Sequence, residues 1–196
     1  MGNIPIPNHS VMNPAKDFES TPPGLSAKEW ETILSKIGET VEGELCIIGS
    51  GACMFSGMSR TSMDLDVWNP SSNFDQTKLR KAVEAQGLMF NPTEEVVDRP
   101  YIQIVEPGIA QTGKFKTTHK MARYGTLKVT RPPIENINAS KLVRGDKKDI
   151  EDIGHLANKF LVDNDKVKAA IQSMPNPQKG KAKENLVFLD VLNPPT

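Results

Sequence analysis

The chain has 196 residues, enough to bury one core but short for two, so one compact domain with tails is expected. Hydrophobic residues make up 37% and charged residues 24%, with 24 basic side chains balancing 24 acidic ones, which excludes a coiled coil, a collagen or a largely disordered chain. No apolar run reaches the roughly 18 to 20 residues of a membrane helix and the Pro-rich start lacks an apolar signal-peptide core, so no membrane partner and a cytoplasmic location are expected.

Residues 1–24 hold Pro5, Pro7, Pro14, Pro22 and Pro23 with little periodic hydrophobicity, and they read as an irregular leader. Ser26 followed by Glu29 is a capping box, and Trp30, Ile33, Leu34, Ile37 and Val41 recur behind it at helical spacing. Leu45–Ile48 reads as a buried strand ending in the turn Gly49-Ser50-Gly51, with Ala52–Ser56 as the next short helix. Met63–Trp68 alternates Met, Leu and Val with Asp, Asp and Trp, the period-2 pattern of a strand with one apolar and one polar face. An amphipathic helix is expected from Phe74 to Gln86, closed by Gly87, then strands at Leu88–Phe90, Tyr101–Val105 and Thr126–Thr130. Ile150, Ile153, Ala157, Phe160 and Leu161 mark a helix through 148–161, and Val167, Ala170, Ile171 and Met174 mark another behind Asp163 and Asn164. Pro175–Lys183 reads as a polar linker and Leu186–Leu192 as a short apolar segment that docks on the core, so 175–196 is expected as linker and docking segment. The fold class is α+β: a small mixed β-sheet flanked by helices, with a helical C-terminal part.

The neutral total hides an uneven distribution: residues 1–110 sum to −7, residues 111–148 to +8 and residues 149–196 to −1. Such a basic block is either an anion site or a solvated face that partners the chain's own acids. Cys46 and Cys53 have no second Cys or His pair at zinc spacing and are expected to be reduced packing thiols. His119 and His155 form no legible dyad, and Tyr101 and Trp68 are expected to pack rather than to stack a base.

The residues most suggestive of chemistry are Gly49-Ser50 at the end of one strand and Asp64-Leu65-Asp66 on the next. Asp64 and Asp66 lie two apart on a strand, so both carboxylates leave one face and suit a hard cation such as Mg²⁺; the alternative is a solvated strand face. Gly49 permits close approach of the backbone to a ligand, Ser50 offers a hydroxyl and an N–H, and the helix that follows presents its positive dipole end.

Gly49-Ser50 and the run Arg60-Thr61-Ser62-Met63-Asp64-Leu65-Asp66-Val67 resemble the signature of the minimal nucleotidyltransferases of the DNA polymerase β-type superfamily, in particular those of bacterial abortive-infection and toxin–antitoxin systems. The likeness continues in Lys141-Leu142-Val143-Arg144 and Lys147-Lys148-Asp149-Ile150-Glu151-Asp152-Ile153, and it covers about residues 45–70 and 126–160. It implies a nucleotidyltransferase-like domain over 25–174 that moves a nucleoside monophosphate from an NTP to a protein or RNA hydroxyl, with a toxin as a further candidate partner. By the same resemblance Asp64 and Asp66 hold Mg²⁺, Gly49 and Ser50 grip the triphosphate, Lys141 is its charge partner and Arg60 lies at the mouth. For Lys141 and Arg144 the alternative is pairing with Asp149 and Asp152, which are expected to cap and orient their helix.

The family's third carboxylate is expected on the strand Tyr101-Ile102-Gln103-Ile104-Val105. With Ile102 and Ile104 facing the core, Gln103 occupies that polar position, and an amide is no base. Asp98, just before the strand, is the remaining candidate for the acid–base role. The departure at Gln103 favours a second reading, a non-catalytic antitoxin-like or partner-binding protein on the same fold. A third is a nucleic-acid-binding module using residues 111–148.

Overall fold

The structure is a computed structural model that describes residues 24–93 and 97–193; all of the leader but Gly24 lies outside the described residues. It opens with the two-residue strand β1 (Leu25–Ser26) and helix α1 (Ala27–Ile37), whose capping box forms as expected: the Glu29 N–H donates to Ser26 Oγ and the Ser26 N–H to Glu29 Oε2. Trp30, Leu34 and Ile37 form its buried stripe, and the Trp30 indole donates to the Ser62 carbonyl at 3.2 Å.

Then come β2 (Gly43–Cys46), α2 (Gly49–Phe55), β3 (Thr61–Ser62), β4 (Asp64–Trp68) and, after a single 3₁₀ turn, β5 (Asn73–Phe74). Gly49 and Ser50, expected as a turn before a helix starting at Ala52, are themselves the first turn of α2. Helix α3 (Gln76–Ala85) is capped by Asp75, and β6 (Met89–Phe90), β7 (Tyr101–Val105), β8 (His119–Tyr124) and β9 (Leu127–Arg131) complete the strands. The chain ends in α4 (Ile134–Arg144), α5 (Lys147–Lys159), α6 (Asn164–Gln172), α7 (Asn176–Glu184) and α8 (Leu186–Leu192).

The mixed α+β class holds, with the strands in three ladders: β5-β2-β9-β8, β4-β7-β6 and β1-β3. β2 runs parallel to β9, and β7 parallel to both β4 and β6. The two larger ladders join where Ile47 bridges Val67 and the Ile48 N–H donates to the Asp66 carbonyl at 3.0 Å. Side-chain alternation then gives the joined sheet two faces. Leu45, Ile47, Leu65, Val67, Ile102, Leu127 and Val129 enter the main core beneath the helices. On the opposite face Cys46, Ile48, Trp68 and Val105 form a second small cluster, covered by Phe115 from the segment between β7 and β8.

Other elements also depart from expectation: Leu161, expected among the apolar residues of the helix through 148–161, is fully exposed and lies beyond the end of α5. The tract 175–183, expected as a polar linker, is mostly α7; only Ala182 of it is buried, and the helix rests on α4. Strand β8 was hidden because its six residues are all exposed or half-buried, so no apolar alternation marks it. The apolar segment at 186–192 does dock, as α8, through the fully buried Leu189. No helix among the described residues is long and apolar enough to cross a membrane.

Candidate functional site

A cleft of about 340 Å³ opens on the second face of the sheet. Its floor is Ile48, Gly49, Ser50, Asp64 and Asp66; one wall is Ile109–Gln111, and the others come from the C-terminal turn of α4, the start of α5, and Pro177, Gln178 and Lys181 of α7. The sheet parity that buries Leu65 and Val67 sends Asp64 and Asp66 into this cleft together. Ser62 Oγ donates to Asp64 Oδ1 at 2.7 Å and fixes one carboxylate.

Asp66 is held by crowding. Burial, then the neighbouring charge of Asp64, pushes its carboxyl up to about 7, against the pull of Lys141 and Arg144. Gly49 stands beside it with φ +63°, and a Cβ there would lie 2.7 Å from Asp66 Oδ2. The glycine is therefore required twice, by the left-handed backbone and by the approach of the carboxylate. Ile48, the residue that caps α2, offers no side-chain hydrogen bond, so the cleft floor also presents backbone polar groups.

Lys141 reaches the cleft from α4 but is 4% exposed and fully engaged: its ammonium lies 2.6 Å from Asp152 Oδ2 and 3.2 Å from Asp149 Oδ1. Burial works against its charge, yet the surrounding anions outweigh burial and raise it above the ordinary lysine value. Asp149 and Asp152 have no exposed surface. Asp149 also accepts a bidentate pair from Arg144, Nε and Nη2 both at 2.7 Å. Burial opposes the Asp149 charge, but Arg144 and Lys141 together hold its carboxyl below the usual range.

These positions revise several expectations. Asp146, not Asp149, caps α5, accepting from the Asp149 N–H at 2.9 Å. Arg60 is absent from the cleft lining; it reaches Asp152 instead and ties the segment before β3 to α5. Asp98 is exposed, accepts from Arg99 Nε at 2.9 Å and does not line the cleft. Gln103 pairs with Asp66 and Tyr101 with Asp64 in the parallel β4–β7 register, so the amide does sit beside the aspartates on the polar face. Cys46 and Cys53 are buried free thiols, each pushed up to about 12 by burial, and are inert packing groups at neutral pH.

Of the cations on the far wall, Arg144 and Lys148 belong to the basic block read from the sequence, whereas Lys181 was missed. Lys148 and Lys181 line the cleft with no ion pair among the described residues, and the Arg144 side chain remains 65% exposed although it binds Asp149. Lys181 was concealed by the polar composition of α7, and the orientation of Lys148 is fixed only by the α4–α5 turn.

Asp64 and Asp66 suit a hard cation: they are two crowded carboxylates, one of them disfavoured as an anion by its burial and by the other's charge. No group of three or more His, Cys, Asp or Glu among the described residues is placed to hold a metal, so any such ion would complete its coordination from water or a bound phosphate. Set beside protein-family models, curated proteins and solved structures, the chain matches none of them.

Proposed function

We propose that the chain is a Mg²⁺-dependent nucleotidyltransferase of the minimal type, moving a nucleoside monophosphate from an NTP to a protein or RNA hydroxyl, in a toxin–antitoxin or phage-defence setting. The observation that carries this is the placement of Asp64 and Asp66 on one face beside Gly49 and Ser50, opposite Arg144, Lys148 and Lys181 across one cleft. Bound Mg²⁺ would neutralise charge on the triphosphate and polarise the reacting phosphorus. The acceptor oxygen bonds to the α-phosphorus, the bond from that phosphorus to the bridging oxygen breaks, and pyrophosphate leaves with the bonding pair. The hydroxyl proton passes to water, since Gln103 offers no base. Lys148, Lys181 and Arg144 supply the cationic wall for the phosphates, while the buried Lys141 holds Asp149 and Asp152 in place.

Gln103 also favours a second reading, a nucleotide-binding partner protein without turnover. Incubation with labelled NTP and Mg²⁺, scoring label in protein and RNA, separates the two. Wild type is expected to transfer slowly and Gln103→Asp about 10² to 10⁴ faster, the usual worth of a general base. Tight nucleotide binding with no label transferred by either form would establish the binder.

A further inference from the structure

We infer that a strip of unpaired cations on the aspartate-bearing face of the sheet binds the phosphodiester backbone of an RNA and delivers its end to the cleft. This rests on the transferase reading and deepens it by naming the acceptor. Between Glu106 and Glu135 the chain has six cations and no acid. Lys114, Lys116, Lys120, Arg123 and Lys128 are exposed, and among the described residues none of the five makes an ion pair.

Register places Lys120, Arg123 and Lys128 on a common face, and Lys114 and Lys116 lie on the segment that leads into β8. Arg123 lies opposite Lys128 and Lys120 opposite Thr130, with the irregularity at Met121 absorbing the odd residue between them. Lys128 and Thr130 alternate with the core residues Leu127 and Val129, so the cations point away from the helices. Glu44 and Cys46 of β2 align with Lys128 and Thr130, and the Ile47–Val67 bridge carries the parity on to Asp64 and Asp66. Strip and aspartates thus share one side of the sheet.

The strip also runs into the cleft wall. Lys114 follows Gln111 by three residues, and this stretch is fastened: Asn136 Nδ2 donates to the carbonyls of Thr112 and Lys114, and the Lys114 N–H donates to Ser173 Oγ at 2.7 Å. The acids near its far end are Glu42, Glu44 and Asp75, which share a hollow with Arg123 and Lys128. Glu44 accepts from Thr118 and Thr130, and Asp75 caps α3. A protein partner is disfavoured because no large apolar side chain is exposed between residues 111 and 131, and protein interfaces need an apolar centre. Exposed cations without such a centre suit phosphates.

The test is fluorescence anisotropy of a labelled 20-nucleotide single-stranded RNA with the full chain at 50 and 200 mM salt, with Lys116→Glu/Lys120→Glu as the variant and Mg²⁺-NTP thermal shift measured alongside. Expected are micromolar binding that weakens with salt, at least a tenfold loss in the variant with a salt slope lower by about one to two, and an unchanged nucleotide shift. No binding at 50 mM salt, binding indifferent to the substitutions, or capture of an acidic protein in place of RNA would overturn the strip. Loss of the nucleotide shift in wild type would instead overturn the transferase reading.

Discussion

Gly49 and Asp66 meet across the floor of the cleft so closely that a methyl group on the glycine would stand 2.7 Å from the carboxylate oxygen. Gly49→Ala must therefore displace Asp66 and also strain a backbone at φ +63°. The expected outcome is loss of nucleotide binding together with a stability loss of about 1 to 3 kcal/mol, read by calorimetry and thermal unfolding. Normal binding in Gly49→Ala would show that Asp66 can retreat without consequence.

Asp66 makes the metal-free protein pH-sensitive in a definite direction. Its carboxyl sits at about 7 when folded, above the ordinary 3.8, so its contribution to stability is complete below the unfolded value and is lost as pH rises through about 7. The loss amounts to at most about 4 kcal/mol. Asp149, held low, acts in the opposite sense and loses its contribution on acidification. Asp66→Asn is therefore expected to gain stability over wild type at pH 8 but not at pH 4, and Mg²⁺ at pH 8 to stabilise wild type alone. Equal denaturation midpoints for both proteins across this range would refute the crowding.

Lys141 was legible in the sequence as a residue near the site, but not in its role. The resemblance implies a phosphate contact, while burial and its two carboxylate partners make it the centre of an ion cluster linking α4 to α5. Lys141→Met leaves Asp149 with Arg144 and Asp152 with Arg60, so each carboxylate keeps one cation, and the loss of the two ammonium contacts is expected to cost about 1 to 3 kcal/mol. Urea unfolding measures it; a cost below 1 kcal/mol would mean that the cluster relaxes into solvent.

What could be read from the chain follows from how each element meets water. Helix α1 and strand β4 alternate between core and solvent, so Trp30, Leu34 and Ile37, like Leu65 and Val67, stood out by periodicity. Helix α4 buries Asn136, Asn138 and Lys141 as well as Ile137 and Leu142, and having no solvated face it shows no helical period; only the family likeness around Lys141 pointed to it. Helix α7 fails for the reverse reason, with one buried residue in nine. Pairing lies beyond any such pattern: that Arg60 reaches Asp152, 92 residues away, is fixed by the tertiary packing alone.

Titration calorimetry with Mg²⁺-ATP, GTP, CTP and UTP, repeated on Asp66→Ala, tests the nucleotide site most directly. Wild type is expected to bind at least one triphosphate with measurable heat and a thermal shift, and Asp66→Ala to stay folded and show neither, since the cleft-facing carboxylate contributes no core packing. Absence of heat from all four at millimolar concentration, or undiminished binding by Asp66→Ala, would contradict a nucleotide site at Asp64 and Asp66.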